Sequence, residues 1–463
     1  MTITTPEFDV AGGGALPGRD WTKGSIVGNL LRLSWPILIS QSLNMIGPTI
    51  DMIWVGKLGA APIAGVGVGG MVIMMMTSAL MGFTVGARAM VARFVGAGDA
   101  RGANDAARQA FVISAMFAAL IVTVGIPLAE PILVLMGVEA DVVAEGVSYM
   151  RIMFIGSAIM AFRMMADSIM QASGDAITPM RIAIFFRLVH VALCPFLVLG
   201  WWFFPRLGVS GAALTNVFSQ GLGLVLAFWV LFTGRTRLRL TLANFRVDLN
   251  IIGRIVRIGI PAAVVGMQRN LGHVVLISIM ASFGTLAVAA HTISQRVEGI
   301  MVMLIMGPGL ASGVLGGQNL GAGSTHRAER SGWLALGFAE GIMVICSLAI
   351  FLWAEEVVRI FNAEPALVEI TSSFLRIAAA GFLVLSLVID LRQFLSGVGD
   401  TLPPMLFEIL NMWVVLLPLA LLFPRFTHLG AYGVRWAMVC GTFVGGLAQL
   451  IYFWQGRWKH KKV

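Results

Sequence analysis

The chain contains itself twice. Laying each residue over the one 225 positions later puts Pro36 on Pro261, Gly59 on Gly284, Gly82 on Gly307, Gly96-Ala97-Gly98 on Gly321-Ala322-Gly323 and Gly174-Asp175 on Gly399-Asp400. The register does not slip across that span. Any fold for this sequence must therefore be built from two equivalent units packed around a shared centre.

The solvent of those units follows from their composition. The chain is 58% hydrophobic and only 12% charged, with a mean hydropathy of +0.88. A soluble domain cannot carry so much apolar surface, whereas a bilayer demands it, in helices of about 20 residues each. Apolar runs between polar or Gly/Pro punctuation predict twelve helices, near 28–54, 61–93, 105–128, 144–171, 178–201, 209–233, 252–280, 286–318, 329–353, 368–397, 402–423 and 430–454. Six helices per repeat is an even number, so both halves enter the membrane from the same side and are related by an axis along its normal. The expected fold is an all-α membrane protein of twelve transmembrane helices in two pseudo-symmetric six-helix lobes. Residues 1–24 form an N-terminal tail, 25–234 the N-lobe, 235–250 a basic inter-lobe loop, 251–455 the C-lobe and 456–463 a basic tail.

The charges agree with this plan. Lys and Arg gather at Arg19, Lys23 and Arg32, at Arg93, Arg101 and Arg108, at Arg235, Arg237, Arg239 and Arg246, at Arg327 and Arg330, and at Arg457, Lys459, Lys461 and Lys462, all on one predicted side. The opposite loops carry Glu130, Glu139, Asp141, Glu145, Glu355, Glu356 and Glu364. The basic side is expected to be cytoplasmic, with both termini inside a bacterial inner membrane. The net charge of +9 is then a signature of topology. No basic stripe interleaved with aromatics points to nucleic acid. The first 24 residues, with Glu7 and Asp9, lack the basic start and short apolar run of a removable leader. Cys194, Cys346 and Cys440 all fall in apolar stretches and read as buried thiols, without a disulfide framework or metal site.

No phosphate-cradling loop ending in Gly-Lys-Ser/Thr is present. Gly56-Lys57-Leu58 and Lys23-Gly24-Ser25 are the nearest approaches. The glycine runs Gly65 to Gly70 and Gly313 to Gly317 lie inside apolar helices, where small residues serve close helix packing. With no nucleotide motor, the informative residues are ionisable groups within the membrane.

The stretches Leu33-Ser-Trp-Pro36 and Ile50-Asp51-Met-Ile-Trp-Val-Gly56-Lys-Leu-Gly59 resemble the first helix of multidrug and toxic compound extrusion (MATE) transporters. Ala289-Ala-His291-Thr-Ile, Gly317-Gln-Asn-Leu-Gly-Ala-Gly323, Gly208-Val-Ser-Gly-Ala-Ala213 and the paired Gly-Asp-x-x-x-Pro-Met turns ending at Met180 and Met405 share the resemblance, which spans residues 25 to 455. It implies an antiporter that exports amphipathic, often cationic organic compounds in exchange for protons or sodium. It implies no enzyme activity and no cofactor, and the chain is expected to act as a monomer. A flippase for lipid-linked saccharides is the alternative, since related flippases share such a duplicated fold. A membrane enzyme acting on lipids would need clustered acids or a His-rich set, which this chain does not offer.

Asp51 matches the acid that the family carries in its first helix. Ser40, Asn44, Gly47 and Asp51 fall at spacings of four, three and four, so they form one polar stripe beside the backbone break at Pro48. An unpaired carboxylate there is poised to exchange protons. Where DinF-like members place an Asn and an Asp-Pro on helix 5, this chain has His190 and Cys194-Pro195. Imidazole and thiol are poor sodium ligands, so proton coupling shared between Asp51 and His190, with Asn44 on the stripe, is favoured. In the second lobe, the positions of the acids of NorM-like members hold Arg269 and Ser386. Asp390, one turn past Ser386, is the expected partner of Arg269 beside a cargo cavity that Gln393, Glu298 and Met74 are expected to line. Arg163 and Asp167, four apart, read as a local helix pair.

Overall fold

A computed structural model describes residues 19–461 apart from 203 and 244, so Glu7, Asp9 and Lys462 lie outside the described residues. Twelve long helices follow in order. They are α1 (Ile26–Val55), α2 (Ala60–Gly96), α3 (Ala100–Leu135), α4 (Ala140–Ser173), α5 (Ile177–Leu199), α6 (Gly208–Thr233), α7 (Leu249–Ala281), α8 (Thr285–Gly321), α9 (Thr325–Leu352), α10 (Pro365–Gly397), α11 (Leu402–Phe426) and α12 (Ala431–Gln455). Among the described residues there is no strand. Eleven of the helices are long and apolar enough to cross a membrane. The exception, α1, is long enough but carries Ser34, Ser40, Gln41, Ser42 and Asn44 within its apolar run, because it faces neighbouring helices and an internal cavity.

Local signals set several boundaries. Ser25, Asp99 and Asp248 cap the helices that rise from the basic face, their side chains accepting from Gly28 N, Gly102 N and Asn250 N. In both α3 and α11 a π-helical turn, Ile121–Gly125 and Asn411–Leu416, is followed within two residues by a proline, Pro127 and Pro418. Proline lacks the amide that the preceding turn needs, and widening that turn lets the helix continue. This is why α3 runs past the predicted end at 128. The inter-lobe loop is strapped down by α3, where Asn104 Nδ2 donates to Thr241 Oγ1 at 2.9 Å and Gln109 Nε2 to the Arg246 carbonyl at 2.7 Å.

The duplication is visible in three dimensions as matched contacts. A Cβ on Gly96 would land on the Gln318 carbonyl, and a Cβ on Gly321 would land on the Arg93 carbonyl. Each residue in the first contact is the repeat partner of one in the second, so the pseudo-twofold axis passes between α2 and α8 at their basic ends. Likewise Gly82 meets Gly259 O across the α2 and α7 crossing, and Gly307 meets Ser34 O across α8 and α1. These crossings join the lobes from mid-membrane to the basic face, at a closeness only glycine permits.

Candidate functional site

The polar stripe of α1 connects two polar regions. At its far end Asp51 is buried, only 1% exposed, among side chains from α5 and α6. His190 and Cys194 share one face of α5 through their four-residue spacing. His190 Nε2 lies 2.9 Å from Asp51 Oδ1, and the Cys194 thiol donates to the same oxygen at 3.7 Å. Asn216 of α6 donates its amide to Asp51 Oδ2 at 3.4 Å. Asp51 is therefore not the unpaired carboxylate expected from sequence, because α5 and α6 both turn hydrogen-bond donors toward it.

Two arginines that do not bond Asp51 set the direction of those donors. A guanidinium can only donate. Arg187 Nη1 lies 2.9 Å from His190 Nδ1, so Nδ1 must accept, and the ring proton sits on Nε2, facing Asp51. On the other flank Arg163 Nε donates to Gln220 Oε1 at 3.2 Å, which leaves Gln220 Nε2 to donate to Asn216 Oδ1 at 2.5 Å and Asn216 Nδ2 to donate to Asp51. Both flanks thus present hydrogens to the Asp51 carboxyl group. Arg163 ends the chain by pairing with Asp167 at 2.5 Å, the local helix pair expected from their spacing.

Asp167 and Arg163 also line the second region, a partly open cavity between the lobes with about 150 Å³ of water-accessible space. From α1 it receives Ser40, Gln41 and Asn44. Asn44 bonds Gln41 at 3.4 Å, two turns from Asp51, so it belongs to the cavity and not to the proton site. Arg269 and Gln393 line the cavity as expected, whereas Asp390, Glu298 and Met74 are absent from its wall. The expected Arg269–Asp390 pair is not formed among the described residues. Asp390 is 2% exposed, both its oxygens lack partners, and its Oδ1 packs into the space left by the missing Cβ of Gly309 on α8. Glu298 is taken by the buried guanidinium of Arg435. Ser386, on the same face of α10 as Asp390, bonds Glu340.

Asn216, Gln220 and Arg88 were not singled out from sequence. The first two are amides four apart in a membrane-length helix, and Arg88 is a charge within another, so the signals existed. A carboxylate, imidazole and thiol whose ligand atoms lie within 4.8 Å of one another, as in Asp51, His190 and Cys194, also match the donor types of a borderline metal ion.

A membrane-embedded chain of two equivalent six-helix lobes around a polar cavity, with a buried acid in its first span, has the architecture of a secondary transporter. The family model described as MatE matches residues 36–196 and 261–422, the second segment starting 225 residues after the first, and the chain belongs to that family. It is 26% identical over 441 residues to the "Probable multidrug resistance protein NorM" of Thermotoga maritima, covering 94% of this chain and 93% of that one. Its fold is similar to the crystal structure of a MATE in the bent conformation, at a TM-score of 0.89, 24% identity, and 94% and 96% coverage of the two chains. It is similar also to the outward-facing conformation of a multidrug resistance MATE family transporter, at a TM-score of 0.88, 24% identity, and 94% and 97% coverage.

Proposed function

We propose that the chain is a proton-coupled antiporter that moves small organic molecules out of the cell by alternating access, acting as a monomer in a bacterial inner membrane with both termini cytoplasmic, without enzyme activity or cofactor. The observation that carries this reading is the unbroken run of hydrogen bonds from Asp51 through Asn216, Gln220 and Arg163 to Asp167 in the cavity wall.

The run supplies a way for proton and cargo to sense each other. Oδ1 already receives His190 and Cys194, so when Asp51 takes a proton on Oδ2 that oxygen becomes a donor and Asn216 turns its carbonyl toward it. The Asn216 amide hydrogens then face those of Gln220, which must turn as well. Gln220 then presents hydrogens to Arg163, which can accept none. The guanidinium loses that bond, and its hold on Asp167 in the cavity changes. Protonating one end reverses the two amide links and breaks the third, which is the two-state element that coupling requires.

With the basic face cytoplasmic, the lobes are closed on the inside through the Gly96–Gln318 and Gly321–Arg93 contacts. Imidazole and thiol beside Asp51, in place of oxygen ligands, favour the proton over sodium. Reconstituted chain should export cargo under an imposed pH gradient and not under a sodium gradient alone; sodium-driven export without a pH gradient would refute the coupling. A flippase for lipid-linked saccharides is the second reading, favoured by the arginines of the cavity.

A further inference from the structure

The cavity wall carries four arginines, Arg88, Arg163, Arg269 and Arg392, against one carboxylate, Asp167. Two of the four are neutralised locally. Arg163 pairs with Asp167 at 2.5 Å, and Arg392 with Glu408 at 2.8 Å. Among the described residues Arg88 and Arg269 have no carboxylate within ion-pair distance. Arg88 is 7% exposed, and its Nε has no hydrogen-bond partner. A guanidinium cannot shed its proton to relieve this, and a buried charge without a counterion is costly to keep. The same cavity offers Met81, Met164 and Met306 as a pliable apolar wall. Its charge balance runs against the cationic cargo that the family resemblance implies.

We propose that this cavity is the seat of an organic anion, whose phosphate or carboxylate group is held by Arg88 and Arg269 while its apolar body lies against the methionines. The proposal rests on the transport reading above and names the cargo class of the same cavity. Arg88 and Arg269 come from α2 of one lobe and α7 of the other, so both lobes contribute positive charge to the anion's site. A water-soluble phosphate and the phosphate of a lipid present the same chemistry to these arginines.

The test is equilibrium binding to the purified full chain in nanodiscs, using 4-methylumbelliferyl phosphate, its neutral methyl ether, ethidium and dodecyl phosphate. The aryl phosphate should bind at least about tenfold tighter than the neutral ether, and Arg269→Gln and Arg88→Gln should each remove about tenfold or more of that affinity, as charge-assisted hydrogen bonds require. Arg88→Lys keeps the charge and should retain part of it, which separates loss of the anion seat from loss of the fold. Tighter binding of dodecyl phosphate than of the aryl phosphate would support the anionic class and place its source in the bilayer. Ethidium binding more tightly than either phosphate, or aryl phosphate affinity unchanged within about twofold in Arg269→Gln, would overturn the proposal. Binding needs no gradient, so failure here leaves the proton-coupling reading to stand or fall on its own flux assay.

Discussion

Arg187 Nη1 lies 2.9 Å from His190 Nδ1 and thereby decides which ring nitrogen carries the proton. The guanidinium rests against Gly47 of α1, where a Cβ would collide with it, and is thus wedged between the polar stripe and the imidazole. A hydrogen on Nδ1 would be set against a guanidinium that has no lone pair to offer, so the ring with its hydrogen on Nε2, facing Asp51, is the arrangement the arginine enforces. Nitrogen-15 NMR of labelled histidine should show the Nε2–H form for His190. In Arg187→Gln, whose side chain can accept as well as donate, both forms should appear. An unchanged spectrum would show that Arg187 does not set the tautomer.

Gly47→Ala tests the wedge from the other side. The added methyl group must displace the Arg187 guanidinium, the far end of a flexible side chain, so the cost is chiefly its bond to His190 Nδ1, about 0.5–1.5 kcal/mol. The thermal midpoint in detergent should fall. Gly337, in α9, has open space where its Cβ would be, and Gly337→Ala should be neutral or gain about 0.5–1 kcal/mol from helix propensity. Equal effects at the two positions would contradict the packing described.

Gln220→Leu removes the link between Asn216 and Arg163 while leaving His190 on Asp51. Proton binding and cargo binding should persist in this variant but lose their dependence on each other. Transport should fall, and protons should enter whether or not cargo is present. Full cargo-dependent proton entry would show that coupling does not pass through the amides.

The pair between Arg435 and Glu298 is the C-lobe interaction most sensitive to truncation. Arg435 is 1% exposed, so Glu298→Ala leaves a buried charge without its partner and should destabilise the fold by about 3–5 kcal/mol. The pair between Arg359 and Glu355, at 3.9 Å and largely exposed, should contribute less than about 1 kcal/mol. Unfolding of Glu298→Ala and Arg359→Ala in detergent, measured side by side, checks the contrast.

The two-lobe plan was legible because the repeat fixes it residue by residue. Gly96 against Gln318 and Gly321 against Arg93 are one contact made twice: the register equates the residues of the one with those of the other, and the structure shows that they touch. The meeting of Asp51 with His190 was legible as well, from an intramembrane acid and a histidine matched to a family position. The Arg269–Asp390 pair was misread for a physical reason. A helix that is apolar nearly all round gives no periodic signal for its rotation, and Asp390 turned toward the gap at Gly309 instead of toward the cavity. The direction of each hydrogen bond around Asp51 was out of reach too, because it depends on which atoms of Arg187 and Arg163 meet their neighbours, and spacing along a helix does not encode that.

The central claim is that Asp51 carries the proton that drives export. Wild-type chain and Asp51→Asn, both reconstituted in liposomes, should be compared for cargo efflux under an imposed pH gradient, with insertion and folding checked in each. The account predicts gradient-driven efflux in the wild type and none above background in the folded Asp51→Asn variant; efflux at the wild-type rate from that variant would contradict it.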